Sequence, residues 1–346
     1  NGVPKSMSGI AAIFTFDGSR EAGDIRRMVA AAAHRSSSGA QSWEADNGTL
    51  THLRSHELMG EDDRYLACSS DGQVAVVADA RIDNRHDLAR DLDILNLEQS
   101  LPGDAALILA AYRKWGSSVA ERLIGDFAFV IWDEGSRSVL AARDPMGMRP
   151  LYFRIEPHRR VLFASEAKQI LAASGVPRRV NEQALAHHLL NRFDPLDWSF
   201  HEGIDVLAPG HTVTVDQTGT RTWQHWHFDP GREIVHAKEE DYVEHFREIV
   251  IEAGRARLRA SRPIGVLLSG GMDSGTAAGV AAWLGSGDSE RLQEVIAYTW
   301  DFGDLRDCDE RHISRHLIEH FDITEHEIPV AHLGPLAGYP MHGPDM

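Results

Sequence analysis

The chain has 346 residues, 42% hydrophobic and 25% charged, which is long enough for two sizeable cores. Its formal charge of -17 excludes a general electrostatic affinity for nucleic acid, which is held by clustered Lys and Arg. No apolar run approaches the ~20 residues of a membrane-spanning helix, so neither a nucleic-acid nor a membrane partner is expected.

The first residues lack a basic stretch followed by an apolar one, so no signal peptide is expected. Residues 1–6 read as an expression remnant, which makes Met7 the native start and Ser8 the second residue. Strands are predicted over residues 10–16 and 74–82, and amphipathic helices over 22–34 and 105–115. Segments 126–132, 139–142 and 160–164, separated by Gly, Pro, Asp and Arg turns, predict an antiparallel meander. The first domain, residues 7–175, is therefore expected to be a layered α+β domain with large sheets. The only cysteines, Cys68 and Cys308, have no metal-site spacing and are expected as free thiols of a cytoplasmic protein.

The texture changes near residues 177–180. A short helix at 182–190 follows, and then the stretch Trp223-Gln224-His225-Trp226-His227. Its histidines lack convergent partners at ligand spacing, so residues 176–238 read as a linker region.

Residues 239–259 carry apolar Tyr242, Val243, Phe246, Ile249, Val250 and Ala253 at helical spacing, a face expected to dock on a sheet. The run 264–268 suits a buried parallel strand, followed by a Gly loop and a helix at 274–284. A strand at 295–300 and a helix at 310–321 repeat the unit. Strand-helix alternation predicts a doubly wound α/β domain over 239–346, incomplete at Met346 because two or three such units cannot cover both faces of a sheet.

The loop Ser269-Gly270-Gly271-Met272-Asp273-Ser274 lies between that strand and its helix, where unpaired backbone N–H groups and the helix dipole favour phosphate. Gly270 and Gly271 admit close backbone approach, Ser269 and Ser274 supply hydroxyls, and Asp273 suits a magnesium ion on a polyphosphate. It fits neither the Walker pattern nor G-x-G-x-x-G. Glu310 and Arg311 open the later helix, where a dipole-stabilised Glu beside a solvated Arg is the expected arrangement, with contact to substrate or pyrophosphate as the alternative.

The segment Val266 to Ser274 resembles the pyrophosphate loop of class II asparagine synthetases. The resemblance implies cleavage of ATP with Mg2+ to give an acyl-adenylate and pyrophosphate, displacement of AMP by an amine, and adenine flanked by Leu267 and Trp300. It extends to the first half through Ser8-Gly9-Ile10, His52-Leu53-Arg54, Gly125 to Phe129, Ala142 to Tyr152 and Ala164 to Lys168, which look like glutaminase-domain landmarks in order. It implies an Ntn-hydrolase-like sandwich followed by an adenine-nucleotide alpha-hydrolase-like (PP-loop) domain.

In that family an N-terminal Cys attacks glutamine and an Asn-Gly pair supplies oxyanion donors. Here Ser8 replaces the Cys and Asp79-Ala80 replaces the pair, so a weaker nucleophile stands beside a carboxylate that repels an oxyanion. Arg54 and Asp104 match the family's glutamine contacts. A degenerate, scaffold-only glutaminase is expected, with the amine carried by the substrate, as in β-lactam synthetases and lasso peptide cyclases. The segment Asp79 to Arg85 looks most like the lasso-cyclase style. A peptide or small amino-acid-derived substrate is expected, with a leader-binding or protease partner possible in such systems. An asparagine synthetase fed by ammonia or glutamine and a silent nucleotide-binding module stay open.

Overall fold

The computed structural model describes residues 8–19, 22–54, 65–94, 101–260, 262–286 and 294–330. They fall in two compact units, Asn1–Arg232 and Glu233–Met346. The reading of residues 1–7 as a remnant and start lies outside the described residues.

The first unit runs β1 (Gly9–Thr15), α1 (Ala22–Ala31), β2 (Ala40–Ala45), β3 (Gly48–Leu53), β4 (Leu66–Cys68), β5 (Val74–Ile82), α2 (Arg85–Asp91), α3 (Asp104–Trp115), β6 (Gly125–Asp133), β7 (Ser138–Arg143), β8 (Tyr152–Glu156), β9 (Arg160–Ala164), α4 (Ala167–Leu171), α5 (Glu182–Leu189), β10 (Asp205–Val206), β11 (His211–Asp216) and β12 (Gly219–Gln224). The strands form two sheets, ordered β10-β8-β9-β1-β3-β2 and β12-β11-β7-β6-β5-β4.

Alternation along the strands builds the layers. Ile10, Ala12 and Phe14 of β1 face Ala75, Val77, Ala128, Val130 and Trp132 between the sheets, where the Phe14 and Trp132 rings stack 4.6 Å apart. On one outer face Ala11, Ile13 and Leu162 meet Ile25, Met28 and Ile170 of α1 and α4. On the other, Val76, Ala78, Phe127 and Phe129 meet Leu88, Ile108 and Ala111 of α2 and α3. The result is a helix-sheet-sheet-helix sandwich, the Ntn-hydrolase-like layering. Strands β1 and β6 are buried on both faces, which is why they read as continuous apolar runs.

Two expectations are corrected here. The meander is split: β6 pairs with β7, but β9 lies in the other sheet between β8 and β1, because the chain crosses over between residues 143 and 152. Residues 205–224 are not linker, since β11 pairs with β7 and β12 with β11. Trp223 packs on the outer core of that sheet.

The second unit runs α6 (Glu239–Arg257), β13 (Ile264–Leu267), α7 (Met272–Gly285), β14 (Val295–Asp301), α8 (Arg311–Phe321) and β15 (Thr324–Pro329). The strands are parallel in the order β13-β14-β15. Val266, Leu268, Val295 and Ala297 pack with Ala278 and Ala282 of α7 and Leu317 and Ile318 of α8. The apolar stripe expected to dock on a sheet is not the side of α6 that packs. Ile251, with Leu258 just past the helix, joins a cluster of Ala281 and Leu284 of α7 with Ile264 and Val295 of the strands. Gly254 permits this approach, for a Cβ there would fall 2.6 Å from Val280 Cγ1. The contact side lies about 120° around the helix from the predicted stripe at 3.6 residues per turn. Val243, Phe246 and Ile249 of that stripe are 64%, 67% and 49% exposed. Among the described residues no helix is long and apolar enough to cross a membrane.

Candidate functional site

At one end of the sandwich the inward-facing positions turn from apolar to polar. Ser8 precedes Ile10, His52 follows Leu50, and Asp79 follows Val77, each two residues along and therefore on the same face. Pairing of Gly9 with Leu53 brings the first two together. Ser8 and Asp79 are each 2% exposed, and Ser8 Oγ donates to Asp79 Oδ1 at 2.7 Å. Arg149 Nη1 lies 3.4 Å from the same oxygen.

The elements around this pair explain its position. Buried Asp144 accepts from the N–H groups of Met146 and Met148 through Oδ1 and of Arg149 and Phe127 through Oδ2, shaping the crossover that carries Arg149. Arg35 donates to the Ser8 carbonyl at 2.9 Å and to Glu166 at 2.6 Å. Glu166 caps α4 in a capping box with Gln169. Both ends of Ser8 are thus fixed by residues distant in sequence.

His52 is 1% exposed and stacks on Tyr65 at 4.5 Å. Neither ring nitrogen has a hydrogen-bond partner among the described residues. Burial lowers its pKa to about 4, against the opposing pull of the Asp79 carboxylate, so the imidazole is neutral at neutral pH.

The other sequence-named positions divide. Arg54 is exposed and donates to the Ser38 carbonyl at 2.8 Å. The Ala80 side chain lies in the outer core against the helices, on the face opposite Asp79. Asp104 accepts from the Ile82 N–H at 3.1 Å and pairs with Arg85 at 3.2 Å. Chemically, a carboxylate is an acceptor, so the Asp79 oxygen bonded to Ser8 Oγ offers no donor to a developing oxyanion.

In the second unit the loop follows β13 and opens α7, with Gly271 at the N-cap and Asp273 exposed in the first turn. Ser269 Oγ and Ser274 Oγ are 2.8 Å apart. The Ser269 N–H donates to Ser274 Oγ and the Gly271 N–H to Ser269 Oγ, so the hydroxyls brace the loop. The Gly270 N–H donates to Glu310 Oε2 at 2.9 Å. Gly270 has no room for a side chain, since a Cβ would lie 2.8 Å from Glu310 Cβ.

Leu267 and Trp300 are 65% and 53% exposed. Leu267 pairs with Tyr298 in register, so Trp300 stands two residues further along at the same end of the sheet. Both point to the face away from α7 and α8, as the alternation with Val266 and Ala297 requires.

Arg311 is not the solvated side chain expected from sequence. It pairs with Asp309 at 2.7 Å, Asp301 at 2.8 Å and also Glu327. Arg311 holds the Asp309 carboxyl down at about 2.

The donor set fits a polyphosphate, with glycine backbone free of side chains, two hydroxyls and a helix N-terminus, although Glu310 holds the Gly270 N–H. For magnesium the chain offers Asp273, and no group of three or more His, Cys, Asp or Glu that could hold a metal occurs among the described residues. One carboxylate suits magnesium, which draws most of its ligands from water and phosphate oxygens.

With both sites in place, comparison with known proteins assigns the class. Residues 7–226 match the glutamine amidotransferase domain model and residues 245–333 the asparagine synthase model. The chain therefore belongs to the glutamine amidotransferase domain family, and behind that domain residues 245–333 are similar to asparagine synthase. Among relatives, Amidase chry2 of Gibberella zeae is 29% identical, covering 92% of this chain and 50% of that protein. Glutamine-hydrolyzing asparagine synthetase 3 of Bacillus subtilis is 26% identical, covering 80% of this chain and 45% of that one. The chain spans half or less of the length of these curated relatives. Among solved structures, the B. subtilis glutamine phosphoribosylpyrophosphate amidotransferase complexed with ADP and GMP is 16% identical with a TM-score of 0.44, covering 93% of this chain and 81% of that one, a likeness too loose to carry any inference.

Arg149, Arg35, His52 and Glu166 carry no role that the sequence alone reveals. Arg149 and Glu166 stand 70 and 158 residues from the positions they serve, Asp79 and Ser8, and only their place inside landmark segments marked them.

Proposed function

We propose that the protein is an ATP-dependent amide-forming ligase that closes an intramolecular amide, a macrolactam synthetase of the lasso-cyclase kind. The supporting observation is the buried Ser8–Asp79 hydrogen bond with Arg149 beside it. A carboxylate acceptor bonded to Ser8 supports a reading in which the amine comes from the substrate itself and not from glutamine. ATP, held at Ser269 to Ser274 with Mg2+ at Asp273, would supply the leaving group. The substrate carboxylate oxygen attacks the α-phosphorus, pyrophosphate departs, the substrate amine attacks the acyl carbon, and AMP leaves. The peptide substrate and any leader-binding or protease partner belong to the same proposal. Asparagine synthesis is the second reading, favoured by the asparagine synthetases among the relatives.

The test is pyrophosphate release by the whole protein with magnesium and ATP. Aspartate with ammonia, aspartate with glutamine, and peptides with a free N-terminus and an internal Asp or Glu are offered in parallel. Release only with a peptide, and a product lighter by one water, is the expected result. Release with aspartate and ammonia or glutamine selects the second reading. In the active pairing, Asp273→Asn should abolish magnesium-dependent turnover while Ser8→Ala leaves it intact. Loss of activity in Ser8→Ala would restore a catalytic role to the first unit.

A further inference from the structure

The nucleotide loop has an internal anion. The hydroxyls of Ser269 and Ser274 brace the loop from within, but the Gly270 N–H donates outward to Glu310 Oε2 at 2.9 Å. Glu310 is the residue just before α8, and its Cβ and Ile313 crowd Gly270 closely enough to forbid any side chain there. The neighbouring carboxylates are engaged differently: Asp301, Asp309 and Glu327 all converge on Arg311. The Glu310 carboxylate is the one that reaches the loop.

An N–H donates along one axis, so a carboxylate and a phosphate oxygen compete for it, and charge-assisted bonds of this kind are the strong ones. Two anions at one helix N-terminus also repel each other. Resting on the reading of this loop as the ATP site, we propose that Glu310 sets the affinity of the loop for polyphosphate. It competes for the Gly270 N–H, so that ATP binds against its displacement and pyrophosphate leaves with its return. Glu310 is a positioning residue here and takes no part in bond making.

The test compares wild type with Glu310→Gln and Glu310→Ala in the whole protein, measuring dissociation constants for ATP with magnesium and for pyrophosphate by titration calorimetry. Glu310→Gln keeps the length and an acceptor for the Gly270 N–H but removes the charge. Its expected effect is tighter binding of both ligands by about tenfold, the scale of one charge-assisted contact. The gap should narrow at about 0.5 M salt, which screens the repulsion between the exposed carboxylate and the polyphosphate. A loop merely held in shape by Glu310 would give the opposite: weaker binding in both variants, insensitive to salt. That result overturns the proposal, as does unchanged affinity in Glu310→Gln with an unchanged melting temperature. If cooperatively folded wild type binds neither ligand, the ATP reading falls and takes the inference with it, which separates the two failures.

Discussion

A histidine buried without hydrogen bonds stays neutral at the expense of stability in acid. His52 has a folded pKa of about 4 against an ordinary value of 6.5, set first by burial. Between those pH values the unfolded chain takes up a proton that the folded chain refuses. Its contribution is therefore fully present above about pH 6.5 and is lost as pH falls toward 4, by about 3 kcal/mol over that window. His225, pushed down to about 4 first by burial and then by His211, acts with the same sign. His52→Phe keeps the stack on Tyr65 and removes the titration. Urea midpoints measured from pH 7 to 4.5 should fall less steeply for this variant than for wild type, and equal slopes would clear His52 as the source. Nothing in the local sequence exposed this behaviour. His52 sits in an ordinary strand, and its burial comes from Tyr65 and the facing sheet.

At the scale of elements, legibility followed burial only in part, since β3 and β11 are largely buried and were not read as strands. The spans of β5 and β9 were readable to the residue because buried, mostly apolar side chains dominate both. β8 was missed because it is short and only partly buried throughout, and β12 because it is largely exposed and polar, so pairing with β11 and not side-chain pattern makes it a strand. The same limit misled the reading of α6, whose apolar stripe is its strongest pattern yet is not the side that meets α7. What meets α7 is a side marked by a glycine, and that gives a test. Gly254→Ala puts a Cβ 2.6 Å from Val280 Cγ1, forcing α6 away from α7. The expected loss is about 1–3 kcal/mol, larger than the gain of about 1 kcal/mol from helix propensity. A paired Gly254→Ala, Val280→Ala variant should recover part of it. Denaturation of the second unit reads both, and a stabilised single variant would refute the close approach.

Across the whole molecule, the sites lie in units of unequal self-sufficiency. The first encloses three apolar clusters of its own, with Trp132, Phe14, Phe127 and Phe129 fully buried, and its strands are joined into two six-stranded sheets. Among the described residues the second has a three-stranded sheet and small clusters, while Val243, Phe246, Leu267 and Trp300 stay more than half exposed. Because apolar burial at roughly 25 cal/mol per Å2 is what offsets chain entropy, the two should differ sharply when separated. A fragment of residues 7–232 is expected to fold alone and unfold cooperatively, with near-ultraviolet circular dichroism from its buried Trp132. A fragment of residues 233–346 is expected to bind a hydrophobic dye and self-associate, since such exposed apolar surface drives association in water. Failure of residues 7–232 to fold would mean that the sandwich depends on the rest of the chain. Its success would place the Ser8–Asp79–Arg149 cluster in a body whose stability owes nothing to the nucleotide loop.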